Sequence, residues 1–558
     1  MCRLLGIVLL VVFASSITGC KKSSTSQPAP PPAALTVQNI FIDGTAVPNG
    51  QLRYNIAVGA TIKIVLSSAV SRPTVAGAVN LSATGASAAT ALNISYENND
   101  NTIVLQPAAA LLHLTKYRFE VKNSLVSAAG GKLNLQAQRD FITRIDSTPK
   151  FPLISNEELL TKVQQQTFKY FWDFAHPVSG LARERNSSGD LVTSGGSGFG
   201  IMCIPVAIER NFITRQQGLQ RMQTIVAFLK NTGEKFHGAF PHWLNGITGK
   251  AIAFSAKDDG ADLVETSYLI AGLLTARQYF DLPSADEVAL RNDINAICNA
   301  VEWDWFRRGG QDVLYWHWSP NYGWDMNLPI RGWNECLITY ILAAASTTHG
   351  IPASVYTNGW AGTPGFKNGN NYYGYTLPLG MAAGGPMFFS HYSFLGINPN
   401  GLKDAYADYA LQVKNHALVN YSYCVANPKN YFGYSNQCWG LTASDIPNGY
   451  TASSPTNDIG VIAPTAALAS IAYTPEESMQ ALKFFYYILG DKIWKDYGFV
   501  DAFALQDLWY ANSFLAIDQG PIIIMIENYR SGLVWNLLSN CAEVKAAMIK
   551  LGFTAPYL

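Results

Sequence analysis

Three carboxylates crowd one short stretch of this sequence: Asp258, Asp262 and Glu265 in AKDDGADLVETSYLIAGLL. Read as a helix, the spacing i, i+4, i+7 stacks them on one face. Acids that close at the start of an apolar helix cannot all ionise cheaply, so at least one is expected to hold its proton into the range that suits a general acid. The alternative is a solvated helix start, where the dipole favours negative charge. Calcium fits less well, because the spacing is not that of an EF-hand loop. Glu335 opens a second apolar run, GWNECLITYILAAA, directly after a loop holding Tyr315, Trp316, His317, Trp318, Tyr322, Trp324 and Trp333. Pyranose rings present apolar C–H faces that indoles cover while carboxylates bind the hydroxyls. Trp316, Trp318, Trp324 and Trp333 are thus candidate sugar platforms, although any one of them serves equally as core filling. Two more acids, Asp501 and Asp518, lie near the C-terminus, and Asp518 precedes a helix start as a cap or a base. Glu527 and Arg530, at i, i+3, are expected to pair. His391 and Tyr392 in MFFSHYSF and Trp439 in CWGLTASD are further candidate substrate contacts. His242, His391 and His416 show no metal-ligand spacing, no GxSxG or P-loop is present in suitable context, and no metal or cofactor is expected.

Such side chains need a scaffold, and the chain supplies two periodicities. From Ser155 the apolar period is 3.6, with start signals at Ser155/Glu158, Thr214/Gln217, Ser284/Glu287 and Thr474–Pro475. Helices are expected at 201–211, 215–230, 262–280, 285–301, 335–346, 402–418, 464–472, 475–489 and 521–538. Roughly ten to twelve helices over about 400 residues, with almost no strand runs, point to an all-α α/α barrel over 150–558, since no fixed-length repeat supports a solenoid. Between residues 35 and 149 the period is two instead, as in Ile62, Ile64, Leu66 and Tyr117, Phe119, Val121. Turn signals at Asp43–Gly44, 97–101 and Gly130–Gly131 divide a small all-β sandwich.

The 558 residues are 48% hydrophobic and only 14% charged, with 39 basic against 39 acidic side chains. That excludes disorder and coiled coil, and it leaves no basic surface to follow a phosphate backbone, so nucleic acid is not a partner. Residues 1–19 read as a signal peptide ending in Ile17-Thr18-Gly19 before Cys20, the pattern of a bacterial lipobox in which Cys20 carries the lipid. Residues 20–34 then form a Ser/Pro spacer. A monomer anchored in the bacterial cell envelope, in the periplasm or at the outer-membrane surface, is expected. The remaining cysteines read as buried thiols, with Cys424 and Cys438 able to pair only if an oxidising compartment and the fold allow it.

The segments TFKYFWDFAHPVSGL, SGFGIMCIPVAIERNFITR, ADLVETSYLIAGLLTARQYF, GWNECLITYILAAAS, GPMFFSHYS, CWGLTASD, IAPTAALASIAYTPEES, YGFVDAF and AIDQGPIIIMIENYRSGLVW, in that order, resemble the bacterial glucoamylase-like domain. The match is specifically to the β-1,2-glucanases of glycoside hydrolase family 144, and the stretch from 101 to 133 resembles a bacterial Ig-like module. The resemblance implies an all-α (α/α)6 barrel over 150–558, preceded by a small all-β Ig-like sandwich over 35–149, and hydrolysis of β-1,2-glucan to sophorose or sophoro-oligosaccharides with inversion and without metal. It places the pocket acids on Asp258, Asp262, Glu265 and Glu335. Inversion needs a protonated acid and a water-activating base roughly 6.5–9.5 Å apart. Glu335 is read as the acid, with Asp262, Glu265 or Asp518 as base or water relay. A hydrolase for another glucan linkage and a non-catalytic glycan-binding lipoprotein are the alternatives. A uronate lyase is disfavoured, because the pocket segments are acidic where a lyase needs Arg or Lys.

Overall fold

The computed structural model describes residues 29–558; the signal peptide and Cys20 lie outside them. Two compact units follow, the first ending at Thr143 and the second running from Arg144 to Leu558.

The first unit is a small β-sandwich. Its nine strands are β1 (Val37–Ile42), β2 (Thr45–Ala46), β3 (Arg53–Ile56), β4 (Ile62–Leu66), β5 (Val79–Ala83), β6 (Leu92–Glu97), β7 (Thr102–Pro107), β8 (Lys116–Val121) and β9 (Ala137–Thr143), with one short helix, α1 (Arg72–Ala78). They make a five-stranded sheet in the order β2-β1-β4-β7-β6 and a four-stranded one in the order β3-β9-β8-β5. The period of two does what it should: Ile62, Ile64 and Leu66 from one sheet and Tyr117, Phe119 and Val121 from the other turn inward to one core.

The second unit is helical: α2 (Asn156–Trp172), α3 (Ser194–Glu209), α4 (Arg215–Asn231), α5 (Leu263–Tyr279), α6 (Ala285–Asn299), α7 (Leu337–Ala345), α8 (Tyr409–Ala426), α9 (Pro464–Leu468), α10 (Pro475–Lys483), α11 (Gly490–Ile493), α12 (Ala516–Arg530), α13 (Leu533–Ser539) and α14 (Ala542–Lys550). Ser155 and Thr214 form full capping boxes, and Ser284 accepts from the Glu287 N–H. Thr474 makes no side-chain cap bond, leaving Pro475 as the start signal of α10. Helices α2, α4 and α6 bury one stripe and wet the other, whereas α3 and α5 are buried nearly all round. Their close packing depends on glycine. A Cβ on Gly198 would lie 2.2 Å from the Tyr268 carbonyl oxygen, and one on Gly272 would lie 2.3 Å from that of Gly198.

Several boundaries depart from the periodic reading: α9 stops at Leu468 instead of 472, α8 runs on to Ala426, and the expected 521–538 helix is broken after Arg530 into α12 and α13. Helix α3 begins at Ser194, because its small, glycine-rich first turns carry no apolar period. Helix α8 begins at Tyr409, where Asp408 caps the Leu411 N–H, so 402–408 are loop. Helix α12 begins at Ala516 and runs through Pro521, which the sequence suggested as a first turn. Two pairings also differ. Glu527 pairs not with Arg530 but with the Arg210 guanidinium, through two bonds of 2.7 Å, while Arg530 reaches Glu157 and Gln164. Cys424 and Cys438 are buried free thiols. Because Glu527 is 1% exposed, Arg210→Ala strands a buried carboxylate and is expected to cost about 3 kcal/mol, measured as a lowered denaturation midpoint of the helical unit.

Candidate active site

Asp262 and His317 face each other across a two-residue antiparallel strand pair, Ala261–Asp262 with His317–Trp318. Asp262 is also the N-cap of α5, its Oδ1 accepting the N–H groups of Val264 and Glu265 at 3.0 and 2.9 Å. Its Oδ2 lies 3.0 Å from His242 Nδ1 and 3.6 Å from His317 Nε2. Asp258 does not share the helical face. It closes a turn with Ser255 ahead of the helix and reaches His317 Nε2 at 3.2 Å. The i, i+4 spacing therefore brings the acids together through a loop and a cap, because the glycine and the strand pair between them interrupt any helix. Glu265, in the first turn of α5, accepts the Gly195 N–H from the start of α3 at 2.8 Å. Glu335 lies in the turn ahead of α7, half-buried, its backbone carbonyl taking the Ser393 hydroxyl.

The protonation states separate. Burial pushes Glu335 up to about 7, and the charges of Glu265 and Asp262 add to the shift. Burial likewise raises Glu265, with His242 opposing and Asp262 assisting. Burial acts the same way on Asp262, but bonds from His242 and His317 outweigh it and hold this carboxyl below the usual range. Burial alone would lower both histidines. The acids around them instead carry His242 to about 9, led by Glu265, and His317 to about 10, led by Asp258. His242, Asp258 and Asp262 each offer a ligand atom, all within 4.8 Å of one another. The raised values of His242 and His317 place positive charge beside the two aspartates. Both histidines lie above their unfolded value, so their contribution to stability is complete below about 6.5 and is lost as pH rises through about 9 and 10. The expected result is a melting temperature that falls across that window. The fall near 10 should be smaller in His317→Gln, compared by thermal denaturation at stepped pH.

A second acidic centre lies at the start of α12. Asp518 and Asp501 lie close enough for each to shift the other's pKa, and the Asp445 N–H donates to Asp501 Oδ2 at 2.6 Å. Burial lifts Asp501 to about 7 and, with repulsion from Asp501, carries Asp518 well above the carboxylate range, so the two acids titrate as a pair. Asp501 Oδ1 and Asp518 Oδ2 are buried without a protein partner. Asp445 is itself held by Arg185 and Ser513. A cavity of about 520 Å³ opens beside this centre, lined by Arg185, Asn186, Asp445, Trp509, Tyr510 and Ser513. Half-buried Tyr392 lies against Phe199, Tyr268 and Phe388, and its hydroxyl, raised chiefly by burial, also feels Asp518, Glu265 and Glu335.

The aromatic candidates divide. Trp316 is half-buried and stacks on His317. Trp318 and Trp324 are half-buried in a separate group round Trp305. Trp333 and Trp439 are core residues, 5% and 0% exposed, and the Trp439 indole N–H is spent on the Glu477 carbonyl. His391 is buried and bonded to Ser470, and burial lowers its pKa to about 3, so it is a neutral wall residue and not a sugar contact. Sequence reasoning missed His242 and His317 as partners of Asp262, and also Asp445 and Arg185. Only the long-range strand pairing and the fold bring these together.

The Glycoamylase family model, described as a glucoamylase, matches residues 327–542, and the Bacterial Ig-like domain model matches 38–143. The structure of an endo-β-1,2-glucanase from Chitinophaga pinensis, in complex with sophorotriose and glucose, is 53% identical and covers 73% of this chain and 100% of that one, with a TM-score of 0.71. A β-1,2-glucanase from Parabacteroides distasonis is 36% identical over 94% of this chain and 74% of that one, also at 0.71. An exo-β-1,2-glucooligosaccharide sophorohydrolase (non-reducing end) from Parabacteroides distasonis is 43% identical over 427 residues, 73% of this chain, and the chain spans 59% of that relative's length. The class is that of glucoamylase-like helical proteins preceded by a bacterial Ig-like domain. Within it, the chain belongs to the family that holds these β-1,2-glucanases.

Proposed function

We propose that this protein hydrolyses β-1,2-linked glucan to sophorose or sophoro-oligosaccharides with inversion at the anomeric carbon. The observation that carries the reading is the Glu335 carboxyl, still half protonated at about 7, in the same helical unit as a second centre of two buried carboxyls with raised pKa values, Asp501 and Asp518. The helices support a closed (α/α)6 arrangement: α3 packs on α5, α5 on α7, and α12 on both α3 and α9. The turns at Met387–Ser390 and Tyr392–Leu395 supply the remaining inner position.

In the reaction, Glu335 gives its proton to the glycosidic oxygen as the C–O bond breaks. The Asp501–Asp518 pair, carrying one negative charge, takes a proton from the water that attacks the opposite face of the anomeric carbon. Asp518 accepts that proton while the proton held by the pair moves toward Asp501, so the pair ends neutral. Asp262 is fully committed to α5 and the imidazoles, and one oxygen of Glu265 is committed to Gly195, which makes them positioning groups. Their charges also keep Glu335 protonated. Neutral glucose units suit a pocket without a spare cation, and Tyr392 and Trp316 offer faces for their C–H surfaces.

The lipidated Cys20 and the spacer after it tether this activity to the bacterial envelope, and the chain works there as a monomer. Among the described residues no helix is long and apolar enough to cross a membrane. The test is incubation of the chain beginning after Ala34 with β-1,2-, β-1,3-, β-1,4- and α-1,4-glucans, resolving products by length. Sophorose or longer sophoro-oligosaccharides from the β-1,2-polymer alone are expected. A product from another polymer, or none from any, refutes the assignment.

A further inference from the structure

Behind the catalytic strand lies a feature that the proposed reaction does not use. Successive residues of a strand face opposite ways. On His317–Trp318, His317 turns toward Asp258 and Asp262, while Trp318 turns onto His237 and Trp305, each at 5.4 Å between ring centroids. Trp305 is stacked on His237 at 3.5 Å and flanked by Trp324 at 4.7 Å. A hollow of about 580 Å³ opens against Trp305 and Trp324, walled by Glu302, Asp304, Arg308 and His349. The indole N–H groups of Trp305 and Trp324 have no protein partner among the described residues.

The wall is also strained. Arg308, Gly309 and Gly310 are three consecutive left-handed residues, with φ of 46°, 79° and 88°. A Cβ at either glycine would meet nothing within 4 Å, so the backbone path, not crowding, calls for glycine there. That path lays the Arg308 guanidinium over Tyr315 and within 2.6 Å of Asn327. Strain of this kind collects at binding surfaces. Asp304 and Glu302 are half-exposed, each held by one histidine, and keep lone pairs free. Indole surface with free N–H donors, beside carboxylates with spare acceptors, is the chemistry that holds a neutral pyranose.

We propose that this hollow is a second glucan-binding site, seating one or two glucosyl units of a chain apart from the carboxylate centre. It rests on the reading of the protein as a glucan hydrolase. The test uses the full chain after Ala34 carrying Glu335→Gln, titrated calorimetrically with sophorotriose and run through gels containing β-1,2-glucan. Two binding sites are expected. Adding Trp324→Ala or the more exposed Asp304→Ala should remove one of them and weaken retention by the polymer about tenfold, whereas Trp324→Phe keeps both. A single site in the parent, or two unchanged sites in both alanine variants, overturns the proposal. If the parent ignores sophorotriose but binds another gluco-oligosaccharide at two sites, the linkage assignment fails and the hollow stands. Binding of none overturns the hollow.

Discussion

Glu335→Gln is expected to lower kcat on β-1,2-glucan by roughly 10³-fold or more while KM moves only a few-fold. Glutamine keeps the shape and the backbone contact to Ser393 but has no proton to give to a departing sugar alkoxide. Two further readings separate a lost acid from a disturbed fold. A substrate with an aryl leaving group that needs no protonation should recover most of the lost rate. In the parent, activity should fall as pH rises through about 7, where Glu335 ionises, because the charged form cannot donate, and that limb should be absent from the residual activity of the variant. Near-normal turnover removes Glu335 from the mechanism.

Asp518→Asn carries the second large effect, a loss of kcat of roughly 10²–10⁴-fold. The asparagine keeps the size and polarity of the side chain beside Asp501, but the pair no longer takes a proton from water through residue 518. An aryl leaving group should not help, since departure is not what has been impaired. Azide, a nucleophile that needs no base, should restore turnover and yield a glycosyl azide of inverted configuration. Opposite rescue patterns in the two variants would assign acid and base independently of any distance between them. Azide rescue of Glu335→Gln instead would reverse the assignment.

The parts of this fold that depend on neighbours in sequence were legible in it. Ser155 with Glu158 and Thr214 with Gln217 are reciprocal caps within one turn, and the alternation at Ile62, Ile64 and Leu66 needs nothing beyond a pleat. The acids themselves were also legible, because carboxylates in so uncharged a chain need a reason. Their arrangement was not. Asp258 reads as helical by spacing and sits on a turn, since the register of Asp262 against His317 is set by a strand more than fifty residues away. Asp501 and Asp518 read as single acids, and only burial side by side makes them a pair that titrates together. Trp439 and His391 carry the same letters as sugar contacts and are buried by packing that no local period announces. Glu527 chose Arg210 over Arg530 for the same reason, a partner from another helix offering a two-bonded fork.

The most direct measurement is proton NMR of the first minutes of β-1,2-glucan hydrolysis by the chain beginning after Ala34, which reports linkage and anomeric configuration together. The account predicts loss of the β-1,2 anomeric signals with the α-anomer of the new reducing end appearing first and mutarotating afterwards. Initial appearance of the β-anomer, or an intact polymer in the presence of folded protein, would contradict it.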